Sequence, residues 1–210
     1  MGKKIIQFGM IRSGSTLIYN ILKELFKNYS IIKTHHYPSK LQRIQNIPVV
    51  CTFRDPLDII CSSIKRNKEL PSREVIKKHI KVLEKYGFED FIKLQKNYKN
   101  KINLRYENFY NNYDYLFDKL ETFFTIKIPK NFRYYIVNKF SINKVKEEIK
   151  KFNNFQEFDP KTKFHGLHIS DTNGAIKSYI DFFKSEDIKF LEKTYREFRE
   201  KYILEDYEKI

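Results

Sequence analysis

The chain begins with a short apolar stretch, a turn that contains glycine, and a segment whose apolar residues recur at helical spacing. "KIIQF" is apolar and ends at Gly9, which predicts a buried β-strand. Residues 15–27 carry apolar side chains every three or four positions, which predicts a helix. "SIIKT" and "PVVCTF" (48–53) predict two further strands, and 57–66 predicts a second helix. Short connections between strands and helices in this order favour a mostly parallel sheet.

The second half of the chain is predicted to be mostly helical. Helical spacing covers 72–86, 88–98, 113–124, 141–152 and 186–204, with Ser185 placed to cap the last helix. "INLRYEN" (102–108) predicts a fourth strand, and 153–178 is irregular. These elements predict an α/β fold in which helices flank a central, mostly parallel sheet. Because the sequence has no repeat and no Pro/Gly/Ser-rich linker, residues 1–210 are expected to form a single domain.

The composition is that of a globular chain with a strong positive charge. Of the 210 residues 41% are apolar, and no apolar run reaches the roughly 20 residues of a membrane span. The formal net charge of +15 favours anionic ligands. Basic and acidic residues are interspersed, so nucleic acid is not expected as the main partner. The two cysteines, Cys51 and Cys61, suggest neither a disulfide framework nor a metal cluster, which favours a reducing, cytoplasmic setting.

The turn after the first strand, "GMIRSGST" (9–16), has the spacing of a phosphate-binding P-loop with one departure. Such a turn directs backbone N–H groups and the positive end of a helix dipole at one place, which suits an anion. The lysine of nucleotide triphosphatases is replaced by Ser15, and the full charge in the loop is Arg12. No strand ending in a magnesium-binding aspartate is evident. The loop favours a phosphate or phosphosulfate without metal, although an ordinary tight turn fits this stretch equally well.

Two stretches place polar side chains at the predicted ends of strands, where α/β sheets bind ligands. In "SIIKTHHYP", Lys33, His35 and His36 follow a strand. A histidine there can accept a proton from a hydroxyl, and a lysine can stabilise charge on a leaving oxygen. In "LRYENF", Tyr106 could pack against a purine, and Glu107 could pair with a nearby basic residue. The alternatives are two exposed histidines at a turn and a structural tyrosine.

A third stretch, "FRDPLDIICSSIKR", joins a strand to a helix. Arg54 ends the strand, and Ser62 lies eight residues later on the helix. The two side chains can close on one phosphate from two sides, with a charge and a hydroxyl donor. In the alternative interpretation, Arg54 pairs with Asp55 or Asp58 and Ser62 is a surface residue.

Taken in order, these stretches resemble the sulfotransferases that use 3′-phosphoadenosine 5′-phosphosulfate (PAPS). "GMIRSGSTLIYNIL" is similar to their 5′-phosphosulfate loop, and "VVCTFRDPLDIICSS" to their 3′-phosphate motif, in which Arg and Ser are eight residues apart. "IKTHHYP" and "LRYENF" resemble two further segments of the family. "FSINKVKE" resembles a later segment and would place Ser141 and Ile142 near the cofactor. The resemblance spans roughly residues 5–200 and is dense in 5–66.

The resemblance implies a three-layer P-loop-like fold and an enzyme that transfers a sulfuryl group from PAPS to an acceptor hydroxyl or amine. It implies that Lys33 stabilises the transferring group, that His35 is the general base, and that no metal is required. It implies that the 5′-phosphosulfate is held by Arg12, Ser13, Gly14, Ser15 and Thr16, the 3′-phosphate by Arg54 and Ser62, and that Tyr106 approaches the adenine. The acceptor would be a small molecule, a glycan or another hydroxyl compound.

The sequence also departs from the family pattern. Ile11 replaces a proline. Leu17 stands where cytosolic enzymes have a tryptophan that stacks on adenine, and this chain contains no tryptophan at all. The basic-glycine segment near the family's C-terminus has no clean match, and Lys163, His168 and Lys177 are the candidates for its role. Two other functions stay open: a small-molecule kinase of the P-loop class, and a non-catalytic anion- or nucleotide-binding module.

Overall fold

The computed structural model describes residues 3–37, 46–170 and 173–204, and within these ranges four strands form one parallel sheet. The strands are β1 (Lys4–Gly9), β2 (Ser30–Thr34), β3 (Val49–Phe53) and β4 (Lys101–Arg105). Their order is β2-β1-β3-β4, and every neighbouring pair is parallel. The chain therefore leaves β1 to form the edge strand β2, and it then crosses β1 to form β3 on the other side of β1. Ligands of parallel sheets bind at the carboxyl ends of the strands beside such a change of direction.

Helices cover both faces of this sheet. They are α1 (Ser15–Leu25), α2 (Pro56–Arg66), α3 (Arg73–Leu83), α4 (Glu89–Asn97), α5 (Tyr106–Phe109), α6 (Tyr113–Phe124), α7 (Lys130–Lys139), α8 (Ile142–Ile149), α9 (Ser185–Thr194) and α10 (Arg196–Arg199), followed by a wide helical turn at Glu200–Leu204. The sequence pattern does not predict α7, because Ile136 is the one residue of this helix that is buried. No helix in the described ranges is both long and apolar enough to cross a bilayer.

Alternating strand residues build two hydrophobic cores, one on each face of the sheet. Ile6 and Phe8 belong to the core formed with α2, α3, α4 and the last helices. Ile5 and Val50 belong to the core formed with α1, α6, α7 and α8. Successive side chains of a strand point to opposite faces, so strands that are apolar on both sides need a layer of helices on each. The predicted three-layer α/β architecture is confirmed.

The end of the fourth predicted strand is wrong by several residues. The strand β4 ends at Arg105, and Tyr106 and Glu107 open the short helix α5. The Glu107 carboxylate accepts hydrogen bonds from the Arg105 Nε (3.1 Å) and from the backbone N–H of Asp55 (2.9 Å). The buried ion pair with Arg105 confirms that Glu107 pairs with a nearby basic residue. The hydrogen bond from Asp55 ties α5 to the start of α2.

The last predicted helix, 186–204, is interrupted. Tyr195 has non-helical backbone angles (φ −112°, ψ 21°) and separates α9 from α10. Ser185 is the first helical residue of α9, whereas the capping position is Lys184, which makes no side-chain capping bond. The predicted role of Ser185 as the cap is therefore wrong, and the break reflects packing of Tyr195 in the core, where it is 3% exposed.

A kink between α3 and α4 brings this part of the chain against the loop that follows β1. Tyr86 and Gly87 have non-helical angles, with φ of +115° at Gly87. A Cβ atom at Gly87 would lie 2.9 Å from the Cα of Met10, and the carbonyl of Tyr86 accepts a hydrogen bond from the N–H of Ile11 (3.4 Å). Glycine is required here both for its positive φ and for the close approach of two backbones.

Candidate active site

The loop between β1 and α1 is fixed from within by a buried serine. The Ser13 side chain is fully buried, and its hydroxyl lies 2.7 Å from the carbonyl of Met10 and 2.9 Å from the Thr52 hydroxyl on β3. A hydroxyl carries one hydrogen, and here it is used inside the protein. Ser13 therefore shapes the loop, and its backbone N–H is the group it can offer to a ligand.

The first turn of α1 is prepared for an anion. Gly14 precedes the helix with φ of +75°, and a Cβ atom there would lie 3.0 Å from the rings of Tyr106 and Phe109. Ser15 and Thr16 begin the helix and are buried, and its first turn contains no acidic residue. The unpaired N–H groups and the dipole of the helix therefore keep their attraction for a negative group.

Arg12 connects the loop to two other parts of the chain. Its Nε donates to the Ser62 hydroxyl on α2 (3.0 Å), and its Nη1 donates to the carbonyl of His168 (3.0 Å). Burial, followed by the charges of Arg66 and Arg54, lowers the pKa of Arg12 to about 9. Arg12 thus stays charged at neutral pH in surroundings dominated by other cations. An anionic ligand would relieve this repulsion.

Arg54 lies at the end of β3 and is almost entirely buried, with 2% of its surface exposed. Its Nη2 donates to the carbonyl of Ala175 (2.7 Å) and lies 3.5 Å from the Asp58 carboxylate. The ion pair between Arg54 and Asp58, which Sequence analysis gave as an alternative to phosphate binding, is therefore present. Its guanidinium also stacks on the Tyr106 ring, 4.3 Å from the centroid. The Nε has no hydrogen-bond partner although it is buried. A buried donor of this kind needs an acceptor, and a bound phosphate would provide one.

The Tyr106 ring lies between the Arg54 guanidinium and Gly14 at the start of α1. Its hydroxyl donates to the carbonyl of Gly174 (2.8 Å), and its ring contacts those of Phe109 and Tyr110. Burial raises the pKa of Tyr106 to about 12, so it stays protonated. The ring is therefore held on both sides and has a fixed place beside the arginine.

Lys33 and His35 form a pair at the end of β2. The His35 Nδ1 lies 2.6 Å from the carbonyl oxygen of Gly9, and its Nε2 lies 3.2 Å from the Lys33 Nζ. Because a carbonyl only accepts, the proton of the neutral ring must be on Nδ1, and the lone pair on Nε2 accepts from the lysine. His36, by contrast, is exposed, and its ring faces Asp90 at 3.4 Å.

The surroundings set the charge of this pair. Burial, and next the charge of Lys33, lowers the pKa of His35 to about 4. Burial, and next the charge of Lys163, lowers the pKa of Lys33 to about 8. At neutral pH His35 is therefore neutral and can accept a proton, while Lys33 is mostly charged and can stabilise an anionic oxygen.

The structure brings the sequence-predicted residues of the loop, α2 and α5 together, and it places near them two side chains to which the sequence motifs give no role. Arg66 lies four residues after Ser62, on the same face of α2. His165 stacks edge-on against His168, with ring centroids 4.9 Å apart. Helical spacing from Ser62 could have identified Arg66. His165 lies in an irregular segment, where no periodicity points to it.

The remaining candidates have other places in the structure. The backbone N–H of Lys177 donates to the Asp58 carboxylate (2.7 Å). Leu17 packs against the α1-side core, and Ser141 caps α8. Ile142 is the first residue of α8. In the described ranges, no group of three or more His, Cys, Asp or Glu side chains is placed to hold a metal ion.

Comparison with known proteins identifies the fold. No protein-family model matches the sequence, and no curated protein matches it either. Mouse sulfotransferase SULT7A1 complexed with PAP superposes with a TM-score of 0.65 at 17% identity, over 96% of this chain and 85% of that chain. Retinol dehydratase with androsterone and inactive cofactor PAP gives 0.64 at 12% identity, over 92% and 80%. Its complex with retinol and PAP gives 0.62 at 14%, with the same coverage. The chain therefore has the P-loop-like α/β fold of sulfotransferases.

Proposed function

We propose that this protein is a sulfotransferase that moves a sulfuryl group from PAPS to the hydroxyl of an acceptor. The observation that carries the proposal is the meeting of a lysine-free phosphate loop with a lysine–histidine pair at the carboxyl edge of one sheet. The Gly9 carbonyl, which belongs to the strand that leads into the loop, holds the His35 ring. Solved structures of the same fold were obtained with PAP, the desulfated product of PAPS, which supports this assignment.

The residues around the loop fit the two anionic ends of such a nucleotide. The N–H groups of 13–16 and the Arg12 guanidinium bind the 5′-phosphosulfate, with the dipole of α1 behind them. The Arg54 Nε and the Ser62 hydroxyl bind the 3′-phosphate. Arg12 already donates to Ser62 at 3.0 Å, so the two ends of the site are coupled before any ligand is present.

The donor supplies a sulfuryl group on a phosphate leaving group, and the chain's own residues manage the proton and the charge. The lone pair on His35 Nε2 takes the proton of the acceptor hydroxyl as the new oxygen–sulfur bond forms and the bond from sulfur to the phosphate oxygen breaks. The Lys33 ammonium turns from His35 to the phosphate oxygen that leaves. The Gly9 carbonyl keeps the imidazole proton on Nδ1 throughout.

A magnesium-dependent kinase is the competing function of this fold class, and the loop disfavours it. Ser15 stands in place of the lysine that reaches the β- and γ-phosphates. The strand β3 is followed by Arg54, where a metal-binding aspartate would be expected for a kinase. The positive charge of this site comes from fixed side chains, which suits a donor that reacts without metal.

Calorimetric titration tests the nucleotide class directly. We expect wild-type protein in EDTA to bind PAP with a dissociation constant in the range of about 1–10 μM. ATP with magnesium should bind more weakly and should not be hydrolysed. Tighter binding of ATP than of PAP, or turnover of ATP with magnesium, would contradict the proposal in favour of a kinase.

A further inference from the structure

Two polar side chains lie inside the sheet, at the end that is nearest to the phosphate loop. On the face of the sheet that α1 covers, Ile5 and Val50 are apolar. The next residues of β1 and β3 on this face are Gln7 and Thr52, which are polar. Neither side chain has any exposed surface. Burying a polar group costs free energy unless it is hydrogen-bonded, so the partners of these two side chains indicate what they do.

The side chains of Gln7, Thr52 and Ser13 form one chain of hydrogen bonds. The Ser13 hydroxyl donates its single hydrogen to the carbonyl of Met10, which is the shortest of its contacts (2.7 Å). Ser13 therefore accepts from the Thr52 hydroxyl, at 2.9 Å. The Thr52 oxygen in turn accepts from the Nε2 of Gln7 (3.4 Å). The donors thus run in one direction, from the sheet into the carbonyl group of the loop.

The Gln7 amide has a fixed orientation. Its Nε2 also donates to the carbonyl of Phe8 (2.9 Å), and a carbonyl only accepts, so the nitrogen must face this way. The other end of the amide, Oε1, is buried without a hydrogen-bond partner among the described residues. An unpaired buried acceptor destabilises a fold. Stability therefore gives no reason for a glutamine at this position, whereas the hydrogen bonds that its nitrogen donates do.

The loop that this chain of hydrogen bonds reaches has an uncommon backbone conformation. Arg12 has φ of +58° and Gly14 has φ of +75°. Residues other than glycine rarely adopt a positive φ, so Arg12 needs its surroundings to hold it there. The hydrogen bond from Ser13 to Met10 closes the turn that contains Arg12, and Thr52 anchors this turn to β3. The shape of the loop, on which the convergence of its N–H groups depends, is therefore supported by side chains outside the motif.

The Thr52 hydroxyl also lies against the end of the strand that orients the proposed base. Gly9 is opposite Thr52 in the register of β1 and β3. A Cβ atom at Gly9 would collide with the Thr52 hydroxyl, so the side chain packs directly on the glycine backbone. The carbonyl of Gly9 holds the His35 ring, at 2.6 Å from Nδ1. One threonine therefore contacts both the phosphate loop and the residue that fixes His35.

We propose that Gln7 and Thr52 are positioning residues, which act through Ser13 to hold the phosphate loop in the shape that binds the 5′-phosphosulfate. This inference rests on the proposed function. Both residues are fully buried beneath the loop, so they act on the nucleotide through the loop and not by touching it. Their effect should therefore concern the 5′ end of the nucleotide and leave the binding of its 3′-phosphate unchanged.

Titration with two nucleotides separates this role from a general role in stability. PAP carries both phosphates, whereas adenosine 3′-phosphate lacks the 5′-phosphate that fits the loop. Both are titrated into wild type, into Thr52→Val, which keeps the branched shape without the hydroxyl, and into Thr52→Ser, which keeps the hydroxyl. Cys51→Ala is the matched control, because Cys51 precedes Thr52 on β3 and is equally buried but packs on the opposite face of the sheet. Melting temperatures report the stability of each variant.

We expect Thr52→Val to weaken PAP binding about tenfold and to change the binding of adenosine 3′-phosphate less than about twofold. Thr52→Ser should bind PAP within about threefold of wild type, because the hydroxyl is retained. Cys51→Ala should bind both nucleotides as wild type does, although its melting temperature falls. If Thr52→Val does not fold, Gln7→Met replaces it. This variant should weaken PAP binding about three- to tenfold without a lower melting temperature, because it removes an unpaired buried acceptor.

Unchanged PAP affinity in Thr52→Val, or in Gln7→Met where it replaces this variant, would overturn the inference. Equal losses of affinity for the two nucleotides would do so too, because they would indicate a general structural effect. The same holds for a loss of PAP affinity in Cys51→Ala or in Thr52→Ser that is as large as the loss in Thr52→Val. Failure of wild type to bind PAP would instead overturn the proposed function, and the inference would fall with it.

Discussion

His35 and His36 are neighbours in the sequence but have different surroundings. The His35 ring is held between the Gly9 carbonyl and Lys33, whereas the His36 ring is exposed and faces Asp90. This difference supports our proposal that His35, and not its neighbour His36, is the base.

This pair gives a matched test of the base. His35→Asn should lower kcat by about 10²–10⁴-fold, because the proton acceptor is lost while the phosphate contacts remain. His36→Asn should leave kcat within about twofold, as expected for a substitution at an exposed surface position. Steady-state rates with PAPS and one acceptor measure both. An equal effect of the two substitutions would contradict the assignment of His35.

At the scale of residues, the sequence predicts those side chains that lie in local motifs. Arg12, Arg54 and Ser62 meet in the structure because the loop and the strand-to-helix turn place them at one sheet edge. The motif cannot show that the Ser13 hydroxyl is used within the protein, or that Arg54 also pairs with Asp58. These features depend on contacts between segments that are far apart in the chain.

Two adjacent serines of the helix α2 have different structural roles. Ser62 accepts from Arg12 in the site, whereas Ser63 lies 2.9 Å from the Nδ1 of His79 and joins α2 to α3. Both serines are buried. The helix therefore presents one polar contact to the site and another to the packing between two helices.

Replacement by alanine should therefore have different effects at the two serines. Ser62→Ala should weaken PAP binding by about tenfold, through loss of a hydrogen bond to a charged group. Ser63→Ala should lower the free energy of unfolding by about 1–3 kcal/mol, because the buried His79 loses a partner, with PAP affinity unchanged. Titration with PAP and denaturant unfolding separate the two. A loss of PAP affinity in Ser63→Ala alone would contradict this division.

At the scale of elements, the prediction is best where apolar runs are continuous. The strands β1 and β3 are apolar on both faces, and their position follows from this pattern alone. The helix α7 has one buried residue, Ile136, and so lacks the stripe that predicts a helix. The break at Tyr195 and the kink at Gly87 arise from packing against other elements, which local spacing cannot reveal.

The molecule as a whole combines a high positive charge with buried histidines. The pKa values of His35, His79, His165 and His168 are all lowered, in each case first of all by burial. Below an unfolded-state pKa of about 6.5 the unfolded chain therefore binds more protons than the folded chain. Stability is present above pH ~6.5 and is lost as the pH falls towards the folded-state values. Burial raises the pKa of Asp55 to about 6, which opposes this loss in part.

This linkage predicts a thermal midpoint that falls as the pH is lowered. Between pH 7.5 and pH 5 we expect a decrease of about 4–8 °C, corresponding to roughly 2 kcal/mol at this chain length. His165→Gln should reduce the pH dependence, because it removes one of the histidines whose pKa burial lowers. Scanning calorimetry at several pH values provides the measurement. A midpoint that is constant or rises over this range would contradict the assigned direction of the histidine shifts.

At the scale of the whole chain, the sequence predicts the architecture better than the chemistry. A parallel sheet between two helical layers follows from the order of the elements, and structures at 12–17% identity share it. The charge of +15 predicts an anionic ligand but not which one. In the function that we propose, the choice of a sulfuryl donor depends on a few atoms at the sheet edge, among them the Nε of Arg54 and the Nε2 of His35.

Transfer of labelled sulfur from PAPS tests the central claim most directly. The protein is incubated in EDTA with PAPS labelled in its sulfur and a panel of phenols, alcohols and sugars, alongside Lys33→Ala and His35→Asn. We predict that wild type moves the label to at least one acceptor with release of PAP, and that the two variants lose about 10²-fold or more of this rate. Binding of PAP by wild type without transfer to any acceptor would contradict the account and would indicate a nucleotide-binding module.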